Sequence, residues 1–119
     1  MPVVILHHRV QPDFCGHHEA FDIRELEAVA VVDCTRTDFP GVLNEAWEKG
    51  NTVEAPWWKN FRVSLLADGK QKIEEKGGMR SLSVGDAVEF RGFFYLVQAF
   101  GFVELEAKDR EKPYWFSPV

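Results

Sequence analysis

Residues 26 to 34 read Leu-Glu-Ala-Val-Ala-Val-Val-Asp-Cys, an almost unbroken run of small and β-branched apolar side chains. Side chains on a strand alternate between two faces, so a run of this kind predicts a central strand covered on both. The rest of the chain must therefore supply partner strands and at least one covering layer. With 119 residues it is the size of one domain, 1–119, and at that length roughly two thirds of the unfolded surface can be buried. The share of hydrophobic residues, 45% with 13% aromatic, is enough to build such a core and excludes a disordered chain. Ten Phe and four Trp leave aromatic surface to spare for a partner.

The partner strands are legible around it. "VVILHHR", after Pro2, predicts an N-terminal strand, with proline at its start where no ladder bond is lost. "FRVSLLA" (61–67) predicts another. From Met79 the pattern is β throughout, in "RSLSVGDAVEF", "FFYLVQAF" and "GFVELEA", with Arg91-Gly92 as a tight turn. The helical signal lies in "DFPGVLNEAWEKGN". Thr37 or Asp38 can cap the first amides, Pro40 suits the first turn, and Gly50-Asn51 suits a left-handed C-terminal cap. Val42, Leu43, Ala46 and Trp47 fall on one face, which predicts that Trp47 packs the helix on the sheet. Asn44, Glu45, Glu48 and Lys49 fall on the other. "DGKQKIEEKGG" (68–78) is polar and bounded by glycines, which predicts a solvated hairpin loop. The last segment, with Pro113 and Pro118, predicts no regular element. The expected fold is α+β: a mainly antiparallel, curled sheet of five to six strands with one main helix at about residues 40–50.

Chemistry-bearing residues are concentrated in "HHRVQPDFCGHH", where all four histidines fall within twelve positions beside Cys15. Zinc takes three or four such ligands in a tetrahedron. A metal reading uses His8 (or His7), Cys15, His17 and His18. Strand alternation sends His7 and His8 to opposite faces, and the spacing fits no standard ligand template. The favoured expectation is one partly buried strand histidine, a solvated neighbour and a polar loop, with no metal and no cofactor. A thiol nucleophile at Cys15 or Cys34 would need an adjacent imidazole. Cys34, at the end of an apolar strand, reads as a small core residue.

"APWWKN" places Trp57 beside Trp58. As a site, the pair would stack a base, a sugar or a peptide. As packing, one indole enters the core and the other lies half-exposed with its N–H satisfied, and this is the favoured expectation. Tyr114, Trp115 and Phe116 pose the same choice between docking on the chain's own sheet and packing on a second copy. A net charge of −5 makes nucleic acid an unfavoured partner, since phosphate neutralisation needs many Lys and Arg. A single-strand binding face would use Trp57, Trp58, Lys59, Arg62 and Arg80. Two cysteines make no disulfide framework, and neither a charged leader followed by an apolar segment nor a long apolar run is present. The expectation is a cytoplasmic protein without a membrane partner.

"RSLSVGDAVEFRGFFYLVQAFGFVELE" resembles the YodL-like domain and related small proteins of bacteria, phages and conjugative elements. The resemblance is carried by Arg80, Ser81, Ser83, Val84, Gly85, Asp86, Tyr95, Gly101 and Phe102, best over residues 80–105 and more loosely over 43–60. It implies an accessory protein of a mobile element or its host, and no reaction. It also implies a shared polar surface of Arg80, Ser81, Ser83 and Asp86, although "VGD" by itself is what a β-turn into a strand looks like. The functional expectation is a non-catalytic module that binds an unidentified protein partner or forms a homodimer through Trp57, Trp58, Tyr114, Trp115 and Phe116. A metal or thiol enzyme at residues 7–18 and a single-strand nucleic-acid module are the alternatives.

Overall fold

The computed structural model describes residues 2–9, 21–22, 26–51, 56–98, 101–104 and 115–116. The apolar run forms β3 (Leu26–Asp33) and the N-terminal run forms β1 (Val3–Arg9), paired antiparallel at the centre of a six-stranded sheet. The remaining strands are β4 (Val63–Leu65), β5 (Ala87–Phe90), β6 (Phe93–Gln98) and β7 (Gly101–Glu104), in the order β4-β3-β1-β5-β6-β7. All neighbours are antiparallel and the sheet is open, so the chain is an α+β protein. Two short strands, β2 (Phe21–Asp22) and β8 (Trp115–Phe116), pair separately. The C-terminal aromatic segment thus holds an element that Pro113 and Pro118 argued against. Among the described residues no helix is long and apolar enough to cross a membrane.

Alternation along β1 sets the core. Val4, Leu6 and His8 face one side, where Val29, Ala30 and Val32 of β3, Val88 of β5 and Val97 of β6 join them in the main hydrophobic cluster. Each fully buried Val or Leu among them contributes about 1.5–3 kcal/mol. Between Leu6 and His7 the register shifts: Leu6 faces Ala30 and His7 faces Ala28, so Val29 is an extra, bulged residue. The opposite face carries a smaller cluster of Ala87 and Leu96 with Leu26, Phe94 and Val103. Arg91 (φ 54°) and Gly92 (φ 83°) close the β5–β6 hairpin as expected, both in the left-handed region that a two-residue hairpin turn requires.

Helix α1 (Phe39–Lys49) starts where expected: the Asp38 carboxylate accepts the Gly41 N–H at 3.0 Å. Val42, Leu43 and Ala46 are buried on the sheet. Three expectations for this helix are overturned. Trp47 is 38% exposed and lines a surface recess with Val97 of β6 and Gly101 and Phe102 of β7. Glu45 is buried instead of solvated; its carboxylate accepts the Thr35 and Arg36 amides at 2.8–2.9 Å and thereby caps the loop entering α1. The Gly50 cap is also not left-handed, with φ −82°. Glycine serves there by leaving no Cβ, which would stand 3.0 Å from Leu82 Cβ and 3.3 Å from Leu6 Cδ1.

The polar stretch expected as a hairpin loop is a second helix, α2 (Ala67–Lys76). It shows no apolar stripe because its closest approach to the sheet is made by a residue without a side chain. A Cβ on Gly69 would lie 2.2 Å from the Val29 carbonyl oxygen, so α2 rests its backbone directly on the β3 bulge. Leu66 anchors its start, donating its N–H to the same Val29 carbonyl at 2.9 Å. Ile73 packs on the cluster one turn further along, and Gly77 (φ 76°) ends the helix in the left-handed conformation.

Candidate functional site

The polar residues of the "RSLSVGD" signature come together, and their valences are used internally. Asp86 is 1% exposed. Its carboxylate receives both terminal nitrogens of Arg80 at 2.6 and 2.7 Å. It also accepts the Ser83 amide and the Arg9 amide, each at 2.8 Å. Ser83 Oγ donates to the Ser81 carbonyl at 3.2 Å, and that carbonyl also accepts from Arg80 Nη1 at 3.1 Å. This junction ties the end of β1 to the start of β5 across 77 residues of sequence. Buried, bidentate and charge-assisted bonds of this kind are the strong ones. The carboxylate has no lone pair left for a substrate, so the arrangement is a structural turn, as "VGD" predicted.

Trp57 lies in the core, 2% exposed, with its indole N–H donating to the Arg80 carbonyl at 3.0 Å. Trp58 stands edge-on to it at 6.0 Å and is half-buried. The two indoles therefore do not form an exposed stacking pair, and Arg80 is committed to Asp86. Of the single-strand binding face Trp57 is withdrawn into the core, while Trp58, Lys59, Arg62 and Arg80 keep part of their surface, with Arg62 3.8 Å from Asp33 and Arg80 bound to Asp86. Tyr114 lies outside the described residues; Trp115 and Phe116 are placed as backbone in β8.

Both strand histidines are buried, His7 at 8% and His8 at 1% exposure, where one was expected to be solvated. The two faces of the sheet are each covered at that point, so alternation separates the rings without exposing either. His7 Nε2 lies 2.9 Å from Glu89 Oε1, and its ring packs on Phe94 at 5.1 Å. Burial lowers its pKa, against the raising influence of Glu89. His8 packs edge-on against Trp57 at 5.9 Å. Burial holds its pKa down at about 4, with the Asp86 charge opposing. Cys15, His17 and His18 lie outside the described residues. Among those described, no group of three His, Cys, Asp or Glu side chains is placed to hold a metal ion. Cys34 is fully buried, and its thiol is pushed up to about 11 by burial and then by Glu45 and Asp33. That is the opposite of an activated nucleophile.

What sequence reading missed is an aromatic groove between α1 and the β6–β7 edge. Phe39, at the first position of α1, is 47% exposed and tilts against Tyr95 at 5.1 Å, with Phe90 stacked at 6.4 Å. Three adjoining recesses run along this line. One of about 260 Å³ involves Phe39, Phe90, Phe93 and Tyr95. One of about 420 Å³ involves Phe39, Leu43, Tyr95 and Phe102. One of about 330 Å³ involves Asn44, Trp47, Val97 and Phe102. Shared residues Phe39, Tyr95 and Phe102 join them into one track. Phe93 is 40% exposed at one end and Trp47 38% at the other. Among the described residues β7 pairs on one side only, with β6, so the track runs beside a sheet edge. The alternation of Phe93, Tyr95, Val97 and Phe102 onto one face was the available signal. No protein-family model, curated protein or solved structure matches this chain.

Proposed function

We propose that the protein is a non-catalytic protein-binding module that holds an extended, apolar segment of another protein in the groove between α1 and the β6–β7 edge. The observation that carries this reading is the row of half-exposed aromatics, Phe39, Phe93 and Trp47, bordering joined recesses beside a sheet edge. Large apolar side chains exposed in a contiguous track mark interaction surfaces on soluble domains. An edge strand presents unpaired amides and carbonyls, and an extended peptide satisfies them while alternate side chains enter pockets. Groove and edge together supply both halves of that recognition mode. The resemblance over residues 80–105 agrees with an accessory role in a mobile element or its bacterial host.

Selection of a displayed random-peptide library against the protein tests this. Enriched peptides are expected to alternate apolar residues and to lose at least tenfold in affinity, about 1.4 kcal/mol, on Phe39→Glu. Enrichment of peptides that bind the variant equally well contradicts the reading. A dimer in sedimentation that Phe39→Glu dissociates would identify the occupant as a second copy of the chain.

A further inference from the structure

A second recess lies apart from the groove and shares no residue with it. It has about 210 Å³ and is lined by His8 and Arg9 from β1, Lys72 and Lys76 from α2, and Gly78, Met79 and Arg80 from the segment that follows. Lys72 and Lys76 are one helical turn apart and therefore share a face of α2. His8 is 1% exposed, and its Nε2 is buried without a hydrogen-bond partner. Buried polar atoms in folded proteins are nearly always paired, so an orphan beside a cavity asks for a ligand.

We propose that this recess binds a small phosphate-bearing anion. Two of the lining cations are matched by acids outside the lining: Lys72 pairs with Glu27, and Arg80 with Asp86. Lys76, exposed in the last turn of α2, adds a cation that neither acid offsets. The geometry selects among anions. Both terminal nitrogens of Arg80 are spent on Asp86, so its fork is not presented to a planar carboxylate, while Arg9 adds a second lining guanidinium. Lys76 offers a point charge on a flexible stem, which suits the several oxygens of a phosphate, and Lys72 lies beside it while paired with Glu27. His8 is neutral at physiological pH, and as an imidazole with its proton on Nε2 it donates one hydrogen bond without adding charge.

Imidazole-detected NMR at pH 7.5 and fixed ionic strength tests the site, with inorganic phosphate in one series and glycerol 3-phosphate in another. A saturable shift of the His8 ring signals is expected, weakened about fivefold by Lys76→Gln, the loss of roughly one charge-assisted contact, and abolished by K72Q/K76Q. Saturation by inorganic phosphate alone defines a free-phosphate site, and saturation by both defines a phosphomonoester site; either supports the proposal. Lys76→Gln changes an exposed side chain, so its result stands even if the double variant is less stable. A shift that sodium acetate reproduces at equal ionic strength overturns the proposal, as does a saturable shift that Lys76→Gln leaves unchanged.

Discussion

The Arg80–Asp86 junction and the α1–β7 groove differ in the way that separates a structural device from a surface of the kind we propose for a partner. At the junction one buried carboxylate meets a bidentate guanidinium and two backbone amides, and every bond closes within the chain. In the groove Phe39, Trp47 and Phe93 hold 38–47% of their surface in water. The junction has the residue types that suggest chemistry, yet nothing is left over for a ligand. The groove has residue types that suggest core, and part of its apolar surface stays exposed. Satisfaction, rather than residue type, tells the two apart.

The largest expected effect is at the junction. Asp86→Ala leaves the Ser83 and Arg9 amides and the Arg80 guanidinium without their acceptor. It should cost about 3–5 kcal/mol in urea unfolding, the range for removing one member of a buried ion pair. A loss below about 1 kcal/mol combined with lost peptide binding would break the comparison, because the junction would then be the site.

Gly69→Ala sharpens it on the neighbouring element. Alanine raises helix propensity by about 1 kcal/mol, but the added methyl meets the Val29 carbonyl at 2.2 Å. A net loss of about 1–3 kcal/mol is expected from overpacking, read in the same unfolding assay. A stabilised variant would show that α2 does not rest on the β3 bulge.

Acid titration probes the buried histidine between these elements. His8 has a pKa of about 4 in the folded chain and about 6.5 in the unfolded one. The unfolded state therefore binds the proton first as pH falls. The stabilising contribution is complete above pH 6.5 and is lost as pH falls towards 4. At pH 5 the loss from His8 is about 2 kcal/mol by linkage, and His7, also lowered, adds in the same direction. In His8→Gln the difference in stability between pH 7 and pH 5 should shrink by that amount. An unchanged pH profile would mean that His8 titrates as an exposed ring does.

The smallest stability effect is expected in the groove. Phe39→Glu replaces a half-exposed ring, and at the first position of α1 a carboxylate meets the favourable end of the helix dipole. Unfolding free energy should move by less than about 1 kcal/mol while peptide affinity falls at least tenfold, about 1.4 kcal/mol. A loss of stability like that of Asp86→Ala would instead make Phe39 part of the core.

The central sheet was legible because its signals are local. The apolar run of β3, the alternation of Val4 and Leu6, the Asp38 cap and the Arg91-Gly92 turn each act within a few residues. The turn role of Asp86 was legible for the same reason, although its bond to the Arg9 amide was not. Helix α2 was hidden because Gly69 packs by lacking a side chain and so leaves no hydrophobic period. Glu45 was placed on the solvent face because the amides that bury it arrive from Thr35 and Arg36, outside its helix. The groove was only half legible: the alternation of Phe93, Tyr95, Val97 and Phe102 marks one wall, but Phe39 joins Phe102 in one recess only after β6 and β7 fold back beside α1. The pairing of β8 likewise depends on residues 21 and 22, far from it in sequence.

The central claim is that the α1–β7 groove is the surface through which the protein binds. Backbone amide chemical-shift mapping with a peptide enriched by selection tests it most directly. Shifts should concentrate at residues 39–47, 93–98 and 101–104, with added hydrogen-exchange protection along β7. Shifts centred instead on Trp58 and the Arg80–Asp86 junction, with 39–47 and 101–104 unmoved, would contradict it.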